Sequence, residues 1–446
     1  AAVVLVPGLM GWGPEEMETP HGQVPYWDTG VAEDTDSCGL PLLQASVGPV
    51  SSQHDRACEL FAQMLGLRTD FGAEHSAEFG HDRWGSDFSS RPGLWPDWGP
   101  DSPCHFVGHS AGGNTIRLLQ YLLATDFWGR GTSAAWVKSV TCIASPLNGS
   151  TATYLYGSSR DTGLFQWPSL VPLVSCVELI ETLQGVPSER RGRLRHWRLE
   201  HWGVENEDFR SYSRLNAKLR GPSRVFLTGK DNLSYDISLE GALELNGRIG
   251  ADQPDCHYLS VLTCCTSSAL GGFVRPSGHC GAFLLLPCAF MCAERVDHRL
   301  PGADVADWRH NDGLVPLASQ RMPLFGAKRP APIQLDGDDG AGGDTPDSSS
   351  SSWRLSEAGR WHCVWANRLA GDSGTDWDHN DPVFGRSLIW EPPRQRWSFT
   401  AALLDGAAAA ARWLGLRREG GSFAKVARDK QKTFYERLYR LLAEIP

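Results

Sequence analysis

Gly108-His109-Ser110-Ala111-Gly112 is the one G-x-S-x-G pentapeptide in the chain. A serine between two glycines becomes a nucleophile when a sharp strand-to-helix turn lifts its hydroxyl clear of the backbone. The helix behind it then turns N–H groups toward a developing oxyanion. The flanking residues suit that arrangement: His105-Phe106-Val107 reads as a buried strand, and Asn114 to Leu123 carries apolar residues at helical spacing, so Gly112-Gly113 opens a helix. The alternative is a fortuitous turn in a chain with 48 glycines.

A serine hydroxyl needs a base to take its proton and an acid to orient that base, here expected in the order Ser, Asp or Glu, His. Of 14 histidines, those at or before Ser110 fail this order, His196 and His201 lie before the best acid candidate, and His279, His298, His310, His362 and His379 are the plausible ones on position. His379 sits in a polar loop, Thr375 to Pro382, after the apolar strand expected over His362 to Leu369, where an exposed base is expected. For the acid, Asp312 in Asn311-Asp312-Gly313 lies on a turn before an apolar run, and Asp236 in Tyr235-Asp236-Ile237-Ser238 is its rival. Either aspartate also reads as a plain turn-former.

Such residues need a scaffold. Ala2 to Val6 stopped by Pro7-Gly8, Val137 to Ala144, Arg224 to Leu227 and Tyr258 to Leu262 read as further buried strands, separated by stretches long enough for helical crossovers. The expected fold is therefore α/β, a single domain over 1–446 with a mostly parallel sheet and helices on both faces. Residues 149–215 read as an inserted cap, with Leu170, Leu173, Val174, Val177 and Ile180 on one helical face, either a lid over the site or an ordinary core helix. The runs 336–352 and 405–421 read as loose insertions, and Phe423 to Leu442 as an amphipathic helix packing back on the core.

Composition narrows the function. Hydrophobic content of 41%, charged content of 21% and a net charge of −10 describe an ordinary globular chain without the basic face that nucleic acid requires. No apolar run nears the roughly 20 residues of a membrane span. With no Met or charged region before the first strand, a targeting segment is expected to be absent or removed. The 12 cysteines lack paired C-x-x-C spacing and read as buried thiols, with a few disulfides in an oxidising compartment as the alternative. Compartment stays open, secretion or an organelle lumen being the first choices.

The motifs together resemble the zinc-containing lipases of the thermophilic-bacillus and staphylococcal type, and their plant and algal relatives, which have the α/β-hydrolase fold. Val4 to Leu9 looks like the first strand and oxyanion loop, with Pro7 where the family has His. Ser51 to Glu59, Asp70 to His75 and Gly80-His81 follow its metal-binding region, and Ala111 after the serine is the plant-type version of a bacterial Gln. Arg198 to Gly203, Tyr235 to Ser238, Tyr258 to Ser260, Asn311 to Gly313 and Phe434 to Leu438 continue the resemblance. It implies a carboxylic ester hydrolase, a triacylglycerol lipase working at lipid surfaces, with Ser110, Asp312 and His379 as the triad and the backbone N–H groups of Leu9 and Ala111 as the oxyanion hole. It makes Asp236 structural. An acyltransferase with the same triad and a noncatalytic binding protein are the alternatives.

The resemblance also implies a structural zinc on Asp55, His75, His81 and Glu200, with Glu200 standing where bacterial members have Asp. Two imidazoles and two carboxylates suit tetrahedral zinc, although scattered His and Asp residues usually serve only local hydrogen bonds. Bacterial members bind calcium near the triad histidine. Here the matching segment is shortened to Asn380-Asp381-Pro382, which removes at least one carboxylate and leaves calcium a candidate only.

Overall fold

The computed structural model describes residues 1–19, 22–27, 39–166, 196–210, 212–221, 223–294, 296, 308–324, 326–335, 353–372, 376–384 and 422–446. The cap face at 170–180, most of the base-loop flank, and the runs 336–352 and 405–421 lie outside these residues.

Seven strands among the described residues form one sheet: β1 Val3–Val6, β2 Leu42–Gln44, β3 Cys104–His109, β4 Val137–Ile143, β5 His257–Leu262, β6 Ile333–Gln334 and β7 Trp361–Trp365. Their spatial order is β6-β7-β5-β4-β3-β1-β2, and every neighbouring pair is parallel. The central strands are buried on both faces, which is why they show no alternation of apolar and charged residues.

Strand alternation sends successive side chains to opposite faces. Val4 and Val6 join one core with Phe61, Phe106 and Leu119, beneath helices α1 Gln53–Leu65 and α3 Ala111–Ala124. In between lies the short helix α2, Ala73–Phe79. Val3 and Leu5 join the other core with Val261, Val364, Phe434 and Leu438, the last two from the C-terminal helix. Two helices complete the labelled set, α4 Leu285–Ala293 and α5 Ser422–Ala443.

Two expected elements differ. Arg224 to Leu227 is a helix, Arg224–Thr228, and not a strand; Val225 is half exposed while Phe226 and Leu227 pack on Trp202 and Leu199 in a small cluster away from the sheet. A short apolar run has no periodicity to separate the two conformations. The run from His362 is strand only to Trp365 and turns into a helix at Ala366–Leu369. The edge strands Leu42–Gln44 and Ile333–Gln334 carry too few residues to show a pattern in sequence.

The ten cysteines among the described residues are thiols, with no disulfide between them. None of the described helices is long and apolar enough to cross a membrane.

Helix α5 closes the second core and reaches the base loop: the Phe434 ring stacks on Trp377, two residues before His379, with centroids 5.4 Å apart. Phe434 is fully buried. Truncation to Ala removes that support and leaves a cavity, so Phe434→Ala is expected to cost about 3–5 kcal/mol. A melting temperature unchanged from wild type would show that the helix is dispensable.

Candidate active site and metal-ligand group

Three loops at the C-terminal ends of parallel strands converge on Ser110. Strand β3 ends at His109 and α3 begins at Ala111, leaving Ser110 as the hinge with φ 53° and ψ −128°. Such a conformation is costly for a residue with a Cβ and persists only where its surroundings enforce it. The flanking glycines show what enforces it: a Cβ on Gly108 would stand 2.4 Å from the Gly112 carbonyl carbon, and one on Gly112 would stand 2.3 Å from the Val6 carbonyl oxygen. Strand, turn and helix are packed too closely there for any side chain.

The loop after β1 lies against the same serine, since a Cβ on Gly8 would be 2.7 Å from Ser110 Cβ. Buried Arg56 on α1 holds this loop from below. It donates to the carbonyl oxygens of Pro7 and Gly48, the latter at 2.6 Å, and its Nε donates to Thr115 Oγ1 at 3.0 Å. Pro7, which has no N–H to give, is thus used as an acceptor. Leu9 follows Gly8, while the next N–H, that of Met10, goes to the Pro49 carbonyl oxygen at 2.9 Å. Ala111 is the first residue of α3, where an N–H has no partner within the helix.

Asp312 and His379 meet directly. His379 Nδ1 donates to Asp312 Oδ2 at 2.9 Å, and the His379 backbone N–H donates to the Asp312 carbonyl oxygen, also at 2.9 Å. Asp312 is fully buried and accepts four further hydrogen bonds: from Thr263 Oγ1 at 2.7 Å and Gln320 Nε2 at 3.2 Å on Oδ2, and from the N–H groups of Leu314 at 3.0 Å and Val315 at 2.8 Å on Oδ1. A buried carboxylate supplied with this many donors is fixed in one orientation. Asp236 is elsewhere. Its Oδ2 accepts from the Gln53 N–H at 2.6 Å at the start of α1, and burial raises its pKa to about 8. Among the other histidines, His310 bonds Thr266 and Ser268, and His362 is buried in β7.

One chain of hydrogen bonds ties the serine turn to the other two loops. His109 Nε2 lies 2.8 Å from the His379 carbonyl oxygen, and a carbonyl can only accept, so Nε2 carries the proton. His109 Nδ1 must therefore accept, and its partner at 2.7 Å is the Tyr26 hydroxyl. Tyr26 in turn accepts from the Gly8 N–H at 2.9 Å. Burial holds the His109 pKa well below its ordinary value and the Tyr26 pKa well above, so both stay neutral.

A second cluster of polar groups lies beside α1. Asp55, His75, His81 and Asp231 each offer a ligand atom, all within 4.8 Å of one another. His75 Nε2 is 3.4 Å from Asp55 Oδ1 and 3.3 Å from Asp231 Oδ2, and His81 Nε2 is 3.2 Å from the same Asp231 oxygen. These four atoms are buried and none has a hydrogen-bond partner. Four buried, unpartnered ligand atoms converging on one point are a donor set that could hold a cation. Their orientations are fixed from outside: His81 Nδ1 donates to the Asp82 carbonyl oxygen at 2.8 Å, and Asp55 Oδ2 accepts from His201 Nε2 at 2.9 Å.

Glu200 is not in this group. It is exposed at the start of the 3-10 turn Glu200–Trp202, which instead buries His201 and Trp202, and the fourth ligand atom belongs to Asp231. In sequence Asp231 reads as a turn residue before Asn232, whose side chain caps the helix Leu233–Asp236, so no spacing signal separates it from other loop acids. Beside His379, Asp378 accepts from the N–H groups of Asn380 and Gly281, each at 2.9 Å, and neither Asp378 nor Asp381 falls in a ligand group among the described residues.

A parallel sheet of this order, with a strained serine between its third strand and the following helix, is the α/β-hydrolase fold. The family described as "Lipase-like, C-terminal domain" matches residues 1–328, and the chain belongs to it. It is similar to Lipase 2 of Staphylococcus aureus, 28% identical over 343 residues, covering 72% of this chain and 45% of that protein. The chain thus spans less than half the length of this curated relative. Among solved structures it is similar to EstA from Clostridium botulinum (25% identity, TM-score 0.63, covering 85% of this chain and 82% of that one). It is also similar to lipase 1 from Pelosinus fermentans (25%, TM-score 0.60, 85% and 92%).

Tyr26→Phe deletes the hydroxyl shared by Gly8 and His109 and leaves two buried groups unpaired. It is expected to cost about 1–3 kcal/mol and to speed amide exchange at Gly8. Unchanged exchange at Gly8 would show that Arg56 alone holds the loop.

Proposed function

We propose that this chain hydrolyses carboxylic esters, triacylglycerols among them, through an acyl-serine intermediate. The observation that carries the reading is the His379–Asp312 pair beside a serine held at φ 53°; the relatives named lipases add to it. In this mechanism Ser110 Oγ attacks the ester carbonyl carbon while its proton passes to His379 Nε2. Asp312 fixes the ring tautomer through Nδ1–H and stabilises the imidazolium. The oxyanion accepts from the N–H groups of Leu9 and Ala111. Collapse expels the alcohol, which takes the proton from His379, and water then repeats the sequence in reverse to free the acid and Ser110.

Lipid contact has a physical basis beside this site. Leu270, Phe273, Phe283 and Leu286 are the large apolar side chains most exposed among the described residues. They lie on the hairpin Thr266–Ala269/Phe273–Pro276 and around α4, which flank the Asp312 loop. Residues 149–215 form a cap in this reading, and its described part is anchored through His201 on Asp55 and Trp202 in a cluster with Phe79 and Val50.

Asp55, His75, His81 and Asp231 would hold one zinc ion. With four protein ligands and no open position, zinc there supplies structure and not a reacting water. It joins α1, the segment around α2 and the loop at 231, so it closes long stretches of chain.

Ser110→Ala, Asp312→Asn and His379→Ala are each expected to fold and to lose ester hydrolysis by roughly three orders of magnitude or more. Near-normal turnover in Asp312→Asn would overturn the acid assignment. Elemental analysis separates the metal assignments: Asp231→Ala is expected to lose one zinc per chain and melt at lower temperature, and Glu200→Ala to retain it. The reverse pattern would return the fourth ligand to Glu200.

A further inference from the structure

Four cysteines from separate parts of the chain gather under the acid loop. Cys265 follows β5, Cys280 lies in the loop before α4, and Cys288 and Cys292 occupy successive turns of α4. The sulfur atoms of Cys265, Cys280 and Cys288 all lie within 4.8 Å of one another, with Cys265 and Cys288 at 4.0 Å. Cys265, Cys288 and Cys292 pack in one buried cluster, with Cys280 against it. Cys265 and Cys288 are fully buried, Cys292 is nearly so, and Cys280 is half-buried.

We infer that this cluster is a second metal site, in which Cys265, Cys280 and Cys288 bind a thiophilic divalent ion, zinc being the first choice, with Cys292 as the nearest fourth ligand. Sulfur atoms about 2.3 Å from a tetrahedral ion stand a little under 4 Å from each other, close to the 4.0 Å between Cys265 and Cys288 and a short contraction from the 4.8 Å that bounds all three. A disulfide uses two sulfurs and leaves the others idle, whereas an ion uses three or four. Each bound thiol gives up its proton to solvent, and the ion's charge compensates the thiolates in a place otherwise too dry to hold them. Half-buried Cys280 supplies the entry side.

The ion would act on the triad through position alone. The Cys265 N–H donates to the Asn311 carbonyl oxygen at 2.9 Å, and Asn311 Nδ2 donates to the Cys288 carbonyl oxygen at 3.3 Å and to Cys292 Sγ at 3.6 Å. Asn311 precedes Asp312. On the other side the N–H of Gly281, next to Cys280, donates to Asp378 Oδ2 at 2.9 Å, one residue before His379. Both members of the Asp312–His379 pair therefore hang on segments that the ion would join.

The test is reconstitution of the reduced, metal-free full chain with cobalt(II). Thiolate coordination gives an intense sulfur-to-cobalt charge-transfer band in the near ultraviolet, which an Asp/His site cannot give. The band is expected in wild type and in His81→Ala, and to be lost in Cys288→Ser and weakened in Cys280→Ser, the variant least at risk of misfolding. Elemental analysis of the zinc-loaded chain should then show one equivalent that survives His81→Ala. Absence of the band in reduced wild type overturns the site, as does its full retention in both Cys variants. Recovery of a Cys265–Cys288 disulfide by mass spectrometry of protein prepared without reductant, together with no band after reduction, would replace it with a redox pair.

Discussion

The three loops that meet at Ser110 come from distant parts of the chain, and their common reference is the neutral His109 ring between Tyr26 and the His379 carbonyl oxygen. A ring with one donor and one acceptor, both used and both buried, has a single orientation. Because Tyr26 passes the constraint on to the Gly8 N–H, the oxyanion loop, the serine turn and the base loop are set by one directional chain. Its direction matters. If His109 gained a proton, Nδ1 would donate to the Tyr26 oxygen instead of accepting from it, and the Tyr26 hydroxyl proton would have to find another acceptor, because Gly8 N–H is itself a donor. Burial of the ring among Tyr26, Trp27 and His379 opposes that protonation, so the same packing that hides the ring preserves its tautomer.

The reacting groups and the metal-ligand group lie at opposite ends of α1 in function, though not in space. Ser52 caps this helix through the Asp55 N–H, Asp55 faces the ligand group, and Arg56, the next residue, holds the Pro7 and Gly48 carbonyls of the oxyanion loop. Adjacent residues point in different directions on a helix, which lets one element serve both. A displaced α1 would disturb the ligand atoms and the oxyanion loop together, a coupling that needs no contact between ion and substrate.

The parts of the fold legible in sequence were those with a strong local signature. β1 is an unbroken apolar run, β3, β4 and β5 are rich in β-branched, leucine and aromatic residues, α3 and α5 have helical periodicity, and the glycines around Ser110 have a steric reason visible in the Val6 and Gly112 contacts. The two-residue strand at 333 and the helix at 224 lacked the length for any period to show. Asp312, His379, Asp55, His75 and His81 were picked out because ordered motifs surround them. The geometry puts Asp231, not Glu200, beside the other three, and nothing in the spacing encodes where the loop at 231 returns in space. The cysteine cluster was illegible for the same reason: its members are 15 and 8 residues apart without a paired motif, and only the packing of α4 against the end of β5 brings them together.

That contrast explains how the molecule distributes its rigidity. The sheet supplies a precise frame where hydrophobic alternation is strong, but the acid and base loops leave that frame and have no apolar period of their own. Polar groups must fix them instead. Asp312 is locked by five hydrogen bonds, three of them from side chains on three separate segments, Thr263, Gln320 and His379. Asp378, with its pKa raised to about 6 by burial, gathers the backbone of its own turn and of the 281 loop around the residue before His379. A group whose folded pKa is raised contributes its charge-dependent hydrogen bonds only above that value; as pH falls through about 6, Asp378 becomes neutral and these N–H groups lose an anionic acceptor. The base loop therefore loses an anionic anchor as pH falls through about 6.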